Sequence, residues 1–337
     1  MKKHANVAIF VPHEGCPGQC SFCNQCTISG KEVPPSPLLA AKIVEDAMFT
    51  LKTPAQIAFF GGSFTRLNHV YMKRLLQSVQ IYLKNGSYCG IRISTRPDAI
   101  DEDILKVLKK HHVTDIELGT QSMDNSVLEA NMRGHTAQDT VHAAHLIKGR
   151  GFSLGLQMMT GLYKDDNEKT INTANTIISL KPDYVRIYPT VVLKGTKLQK
   201  WHESGIYKPQ TLGEAVELGA RLLKLFTDAR IPVIKLGLHD GPDLRDNMVA
   251  GPYHPAFREL CESRVLYEKA ISQIREQNIQ KGKILLHVNT SAASKMAGQK
   301  RENILKLSRM GYDAKTVLSD KIGYLQVEVK GSEIIAS

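Results

Sequence analysis

The stretch that decides the fold is residues 7–26, which read VAIFVPHEGCPGQCSFCNQC. Its first five residues are apolar and rich in β-branched side chains, so they predict a buried strand that ends before Pro12. Four cysteines follow within eleven residues: Cys16, Cys20, Cys23 and Cys26. Such a tight group, in a chain that we expect to be cytoplasmic, is typical of a metal site and not of a secreted disulfide framework.

The spacing Cys16-x3-Cys20-x2-Cys23 admits more than one metal centre. Three thiolates can hold three irons of a [4Fe–4S] cluster and leave the fourth iron open to another ligand. With Cys26 added, the same loop offers four thiolates to a structural zinc ion. Cys20, Cys23 and Cys26 also match the start of a bacterial ferredoxin run, although no second run follows.

Outward from this loop, short apolar runs alternate with helical periodicity. Strands are predicted at Val7–Val11, Ile57–Phe60, Ile91–Ser94, Asp115–Leu118, Leu154–Met159, Tyr184–Tyr188 and Pro232–Leu236. Helices are predicted at Leu38–Leu51, Val70–Leu83, Asp101–Lys110, Ala137–Lys148, Glu168–Leu180 and Leu212–Ala229, with Asp101 and Thr136 as N-caps. Six consecutive βα units imply parallel strands, hence a doubly wound sheet or a barrel with its functional groups at the strands' carboxyl ends.

The alternation breaks near residue 240, so we predict a core at residues 1–240 and a small α/β extension at residues 241–337. The extension is predicted to contain helices at Phe257–Glu276 and Arg301–Ser308 and strands at Lys283–Val288 and Tyr324–Val329. We find no internal repeat and no low-complexity segment.

Composition narrows the class of protein. Of 337 residues, 42% are hydrophobic and 23% are charged, which excludes a largely disordered chain. No apolar run reaches the ~20 residues of a membrane helix, and we expect a cytoplasmic protein without a membrane partner. Lys and Arg number 44 against 33 Asp and Glu, a net charge of +11 that favours polyanionic partners.

The cysteine motif at the end of the first strand resembles the signature of the radical S-adenosylmethionine (SAM) superfamily. The resemblance implies a partial (β/α)6 barrel, with Cys16, Cys20 and Cys23 holding a [4Fe–4S] cluster whose open iron binds SAM. In that family, reduction of the cluster cleaves SAM to methionine and a 5′-deoxyadenosyl radical, and an electron donor is required. Phe22 would lie near the adenine, and Gly61-Gly62-Ser63 after the second strand matches the motif for the SAM amino group, although Ser63 replaces the more usual Glu or Thr.

Further motifs resemble the catalytic subunit of the Elongator complex and its shorter bacterial relatives. They are residues 94–98 (STRPD), 117–122 (ELGTQS), 131–136 (NMRGHT), 157–162 (QMMTGL) and 183–190 (DYVRIYPT). By motif position, Gln121 and Arg133 would contact the ribose and the methionine carboxylate of SAM, and a guanidinium suits a carboxylate. Gln157 is a further candidate for the ribose, whereas Arg96 and Asp98 fit a structural pair as well as a substrate role.

The chain departs from the Elongator subunit in two respects. Its first two cysteines have the common superfamily spacing, and the residues after 240 show no glycine-rich loop suited to an acyl-CoA pyrophosphate. We therefore do not expect acetyl transfer.

Two substrate hypotheses remain open, and no catalytic side chain is assigned. In the first, the enzyme modifies RNA, most plausibly a tRNA base. Its candidate phosphate contacts are Lys194, Lys197, Lys200, Lys295, Lys300, Arg301, Lys306 and Arg309. In the second, the extension docks a partner protein and the barrel acts on a small molecule or peptide. The lack of aromatic residues among those cations favours the second, because single-stranded bases usually stack on aromatic rings.

Overall fold

The alternating pattern folds into an α/β partial barrel with a small α/β extension, as predicted. The computed structural model describes residues 5–12, 20–24, 33–51 and 55–331. Its strands, in chain order, are β1 (Ala5–Val11), β2 (Ala55–Gly61), β3 (Tyr88–Thr95), β4 (Val113–Gln121), β5 (Ser153–Thr160), β6 (Tyr184–Pro189), β7 (Val192–Leu193), β8 (Val233–Leu236), β9 (Met248–Ala250), β10 (Gly282–Val288), β11 (Tyr312–Leu318) and β12 (Val327–Gly331).

The α-helices of the described residues occupy the connections. They are α1 (Pro37–Met48), α2 (His69–Ser78), α3 (Gln80–Lys84), α4 (Glu102–Lys110), α5 (Asn125–Ala130), α6 (Ala137–Gly149), α7 (Asn167–Ser179), α8 (Lys197–Glu203), α9 (Leu212–Asp228), α10 (Pro242–Asn247), α11 (Phe257–Glu276), α12 (Ala293–Ala297) and α13 (Glu302–Arg309). Within the same ranges, no helix is long and apolar enough to cross a membrane.

The main sheet has seven strands in the order β1-β2-β3-β4-β5-β6-β8, and all neighbouring pairs are parallel. It curls into half a barrel whose convex face carries the hydrophobic core. Ile9, Ile57, Ile93 and Leu156 on that face are fully buried. Because neighbouring strands are parallel, their carboxyl ends lie at one edge of the sheet. The predicted site residues gather at this edge.

The predicted helix boundaries hold where a capping residue marks them. The Asp101 side chain accepts from the Ile104 N–H at 2.8 Å and begins α4, while Thr136 and Asp139 form a capping box at α6. The predicted helix at Val70–Leu83 is wrong in one respect, because it divides at Val79 into α2 and α3. The sequence pattern missed α5 and α8, which are less than two turns long and give little periodic signal.

The extension is a second, three-stranded sheet in the order β11-β10-β12, with β11 parallel and β12 antiparallel to β10. Helix α11 has the predicted bounds and lies against α9, where a Cβ on Gly219 would approach the Cys261 sulfur to 2.8 Å. Strand β11 was missed because it is an edge strand with only Tyr312 buried. The last predicted strand begins later than expected, at Val327.

Candidate functional site

The described part of the cysteine loop sits at the carboxyl edge of the sheet. Cys20 is buried and Cys23 is half-buried, and a turn joins them in which the Cys23 N–H donates to the Cys20 carbonyl at 3.1 Å. Cys16 and Cys26 lie outside the described residues. Among the ranges that are described, no group of three or more Cys, His, Asp or Glu side chains forms a metal site. The ligand set therefore remains a prediction.

Contacts from later parts of the chain hold this loop. The Ser21 hydroxyl donates to the Asn131 side chain at 2.7 Å, and the Ser21 carbonyl accepts from the Leu198 N–H at 2.8 Å. The Asn24 side chain donates to the Lys194 carbonyl at 3.0 Å. The loop is thus fixed by the residues after α5 and by the start of α8, and not only by β1.

Phe22 lies in a small hydrophobic cluster beside the cysteines. It is 9% exposed and shares this cluster with Cys20, Leu162, Leu198 and Tyr207. This is the packing role of a core residue, and it places the ring next to Cys20. Contact with an adenine stays a prediction.

The glycine pair after β2 packs against the end of β1. Gly61 has φ +118°, and a Cβ there would lie 2.6 Å from the Val11 carbonyl oxygen, so only glycine fits without strain. The Gly62 N–H donates to the same oxygen at 2.9 Å. The pair thereby fixes the point at which β1 gives way to the cysteine loop.

The Ser63 hydroxyl is buried and bonded to β3. It lies 2.8 Å from the Thr95 hydroxyl and accepts from the Arg96 N–H at 3.2 Å. Arg96 in turn forms an ion pair with Asp98 at 2.8 Å, so the predicted structural pair at this strand end is present. The attraction of Arg96 and Arg66 outweighs burial and lowers the pKa of Asp98.

Arg133 and Gln121 meet above Gly119, at the end of β4. Arg133 is 6% exposed and donates to the Cys20 sulfur at 3.1 Å and to the Gly119 carbonyl at 2.6 Å. Gln121 has φ +64°, an unusual conformation for a residue with a Cβ. A Cβ on Gly119 would lie 3.3 Å from the Gln121 amide nitrogen and 3.4 Å from an Arg133 guanidinium nitrogen. The structure therefore brings together three of the predicted residues, Cys20, Gln121 and Arg133.

Gln157 faces the concave side of the half-barrel. Its neighbours Leu156 and Met158 are fully buried in the core, so the intervening side chain points the other way. It is paired in register with Arg186 of β6, below the carboxyl edge where Arg133 lies. Gln157 is therefore deeper in the half-barrel than the other candidates.

The concave face carries a charged network to which the sequence analysis gave no role. Arg186 lies 2.8 Å from the Glu117 carboxylate, and Arg92 lies 4.0 Å from it. Arg92 also donates to the Gln56 side chain at 2.7 Å, and its guanidinium lies 4.5 Å from the centre of the Tyr184 ring. The signal was present in the sequence: polar residues alternate with apolar ones in β2 to β6, whereas parallel strands buried on both faces read as continuous apolar runs.

Burial and ion pairing shift the pKa values of this network in opposite directions. Desolvation raises the pKa values of Glu117 and Tyr184, while the attraction of Glu117 outweighs burial and raises the pKa of Arg186. Burial and the neighbouring guanidiniums Arg186 and Arg258 lower the pKa of Lys235, which extends the row of cations onto β8. The concave face thus carries an excess of cationic groups.

His135 lies two residues after Arg133 in the chain. Burial, together with repulsion from Arg133 and Arg96, lowers the pKa of His135 to about 4. The imidazole is therefore neutral at pH 7, and one of its ring nitrogens lies 3.2 Å from the Thr120 carbonyl.

These residues fit the cofactors that the sequence resemblance implies. The Gln121 side-chain oxygen and the Arg133 Nε are buried and have no hydrogen-bond partner within the described residues. An amide oxygen and a guanidinium N–H beside a cysteine thiol are suitable for the hydroxyl and carboxylate groups of an amino-acid nucleoside. One predicted cluster ligand, Cys20, contacts Arg133, and a second, Cys23, lies in the same turn as Cys20.

Comparison with known proteins gives two family matches along the chain. The model of the Radical SAM superfamily matches residues 10–177, and that of the Radical_SAM C-terminal domain matches residues 182–266. Together they cover most of the sequence, including the cysteine loop and all strands of the half-barrel except most of β1.

Several curated proteins are similar over part of their length. A tRNA uridine(34) acetyltransferase of Methanocaldococcus jannaschii is 37% identical over 129 residues, which are 37% of this chain and 24% of that protein. Human Elongator complex protein 3 is 32% identical over 176 residues, 48% of this chain and 32% of its own. A tRNA uridine(34) acetyltransferase of Dehalococcoides mccartyi is 24% identical over 304 residues, 77% of this chain and 64% of that protein. The chain thus spans between a quarter and just under two thirds of the length of these relatives.

Solved structures share the fold. The archaeal Methanocaldococcus infernus Elp3 with an N-terminal deletion aligns with a TM-score of 0.60 at 21% identity, over 82% of this chain and 65% of that one. SuiB of Streptococcus suis, bound to S-adenosylmethionine, aligns with a TM-score of 0.52 at 17% identity, over 71% of this chain and 51% of its own. At these identities the likeness concerns the fold alone.

Proposed function

The chain belongs to the radical SAM superfamily, and on that premise we propose that it is an enzyme that reductively cleaves SAM at a [4Fe–4S] cluster. When bound and reduced, that cluster would supply the electron that cleaves SAM to methionine and a 5′-deoxyadenosyl radical, which would abstract hydrogen from a substrate. The observation that carries the proposal is the position of Arg133, which contacts the Cys20 sulfur and shares the space above Gly119 with Gln121.

The chain's own residues have distinct tasks in this proposal. Cys16, Cys20 and Cys23 hold three irons, and Arg133 orients the SAM carboxylate through its guanidinium. Gln121 and Gln157 bind the ribose, and Phe22 packs beside the adenine. The residues Gly61, Gly62 and Ser63 bind the amino group, with Gly61 also shaping the turn against β1.

We propose that the substrate is RNA, in particular a tRNA base. The net charge of +11 supports this, as does similarity to proteins named for tRNA uridine(34). Lys197 and Lys200 are exposed on α8, near the carboxyl edge of the sheet. The candidate list from the extension becomes shorter: Lys295 is mostly buried in an ion pair with Glu262 at 2.7 Å, so it is not available to a phosphate.

The metal content tests the radical SAM chemistry. Protein reconstituted anaerobically should hold about four irons per chain and cleave SAM after reduction. Cys26→Ser should keep the iron, while Cys16→Ala, Cys20→Ala or Cys23→Ala should lose SAM cleavage. Stoichiometric zinc without iron would favour the structural zinc site instead. Loss of the cluster in Cys26→Ser, with retention in Cys16→Ala, would favour the ferredoxin-like pairing.

The salt dependence of tRNA binding tests the substrate class. Each phosphate contact to a single strand should contribute about −0.7 to the log–log slope of affinity against salt. Lys300→Glu combined with Arg301→Glu should weaken binding. Weak, salt-insensitive binding that this pair does not alter would instead support an extension that docks a protein and a barrel that acts on a small molecule or peptide.

A further inference from the structure

A cavity of about 250 Å³ opens beside the cysteine loop, between the residues after β5 and those after α8. Its walls include Tyr163 and Lys164 on one side and Tyr207 and Lys208 on the other. Tyr207 is buried, and its hydroxyl donates to the Gly161 carbonyl at 2.7 Å, which joins the two walls. This hydrogen bond ties together the two loops that line the cavity.

Two of the lining residues, Tyr163 and Tyr207, belong to an aromatic group that also includes Trp201. The ring centres of Tyr163 and Trp201 are 4.8 Å apart, and Tyr207 meets Tyr163 edge-on at 6.4 Å. Tyr163 and Trp201 are both partly exposed. Trp201 directly follows Lys200, so the expectation that aromatic residues are lacking among the candidate cations is wrong at this segment.

Cations surround the aromatic rings. Lys164 and Lys208 are exposed at the rim of the cavity, and the Lys164 ammonium lies 5.8 Å from the centre of the Tyr163 ring. Lys197 and Lys200 add two exposed charges on the helix that carries Trp201. The rim also has two acids. Asp165 accepts from Thr170 and the Gly161 N–H, and Asp166 caps α7, so both are engaged in local hydrogen bonds.

We propose that this cavity binds one unpaired nucleotide of the RNA substrate, with its base against the Tyr163 ring and its flanking phosphates against Lys164 and Lys208. An aromatic face flanked by lysines is the combination by which proteins bind single strands without reading their sequence. The inference rests on the proposed RNA substrate and adds a particular anchoring site to it.

Hydrogen bonds and hydrophobic packing connect this cavity to the cysteine loop. The Asn131 side chain donates to the Tyr163 carbonyl at 2.9 Å and accepts from the Ser21 hydroxyl. Tyr163, Trp201 and Tyr207 pack in the same hydrophobic cluster as Cys20 and Phe22. A nucleotide held here lies next to the loop that is proposed to carry the cluster.

Trp201 is the only tryptophan in the chain and its ring packs on Tyr163, so its fluorescence reports on the surroundings of Tyr163. Titration of the full-length protein with a short oligouridylate should quench that fluorescence saturably. Tyr163→Leu should weaken oligouridylate affinity, measured with labelled RNA, by about 5- to 100-fold, the effect of losing one stacked base. Tyr163→Phe, which keeps the ring, should bind like the parent.

Matched controls separate the site from the rest of the surface. Tyr82→Leu makes the same change at a half-exposed ring near Glu45 and Asp46 and should leave affinity unchanged. Lys164→Gln with Lys208→Gln should reduce the magnitude of the salt slope by about 1.4. Circular dichroism of each variant should show the parent fold.

Three results would overturn the inference. The first is equal oligouridylate affinity in Tyr163→Leu and the parent. The second is equal quenching by polyglutamate, since the site would then read charge without stacking. The third is salt-dependent tRNA binding that depends on Lys300 and Arg301 but not on Tyr163. That result would be consistent with RNA modification and would exclude only this nucleotide site. The absence of any RNA binding, with SAM cleavage intact, would remove the RNA substrate itself.

Discussion

The Glu117 carboxylate is the point at which the concave network is most sensitive to a conservative change. Glu117, Arg92 and Arg186 have side chains that are 2%, 3% and 15% exposed, so solvent screens their interaction weakly. At an effective dielectric constant of about 20, the attraction is about 6 kcal/mol to Arg186 at 2.8 Å and about 4 kcal/mol to Arg92 at 4.0 Å. The desolvation cost of the carboxylate offsets part of this gain.

Glu117→Gln keeps the shape of the side chain and leaves the buried Arg186 guanidinium without its counter-charge, whereas Arg92 keeps Asp115 at 3.5 Å. We expect the free energy of unfolding to fall by about 3–5 kcal/mol, the cost of removing one partner of a buried pair. Urea unfolding of the apoprotein, followed by circular dichroism, measures it. Glu328→Gln, which breaks an exposed pair with Lys330, is the matched control and should change stability by less than about 1 kcal/mol.

A double-mutant cycle distinguishes the ion pair from simple loss of packing. Glu117→Gln combined with Arg186→Gln removes both charges, so the double variant should be more stable than the sum of the single losses implies, by about 1–3 kcal/mol. Additive losses, or a Glu117→Gln variant within about 1 kcal/mol of the parent, would refute the reasoning and reduce the network to independent polar groups.

Two further predictions concern the frame around the site. Gly61→Ala should destabilise the protein by about 2–4 kcal/mol and lower its thermal midpoint, because the new Cβ would lie 2.6 Å from the Val11 oxygen at φ +118°. The control Gly213→Ala, with no atom within 4 Å of the new Cβ, should be neutral or slightly stabilising. Equal effects at both positions would contradict the prediction. Burial raises the pKa of Asp165 to about 6 from 3.8. The parent protein should therefore lose about 2–3 kcal/mol of stability as the pH rises from about 4 to above 6, while the Asp165→Asn variant should not. Parallel curves of stability against pH for the two proteins would show that this carboxyl titrates normally.

The strands were predictable because each is a short apolar run that packs on the convex core, and all seven predicted strands of the main sheet are present. The clustering of Cys20 with Arg133 was predicted through motif resemblance and not through spacing, since the two residues lie far apart in the chain. The local backbone conformation lets Arg133 reach the cysteine loop. Met132 and Gly134 both have positive φ, which turns the chain between α5 and α6. Such backbone conformations at non-glycine residues give no sequence signal.

The charged network and the aromatic cavity escaped the sequence analysis for different reasons. Arg92, Glu117 and Arg186 alternate with apolar neighbours in their strands, so the pattern was visible but was not interpreted as a polar barrel interior. Tyr163, Trp201 and Tyr207 come from two connections that meet only because β5 and β6 are adjacent. No one-dimensional pattern contains that contact.

The charged network lies on the concave face and the aromatic cavity lies beside the cysteine loop. Their positions affect how a large polyanion could bind to the half-barrel. The concave face is buried and already neutralises part of its own charge through Glu117, so it suits a small reacting group and not a phosphate backbone. The exposed lysines at the carboxyl edge, beside Tyr163 and Trp201, have room for the backbone outside the barrel. For the proposed RNA substrate, this division between a cationic rim and a compact polar interior favours an unpaired nucleotide over duplex RNA.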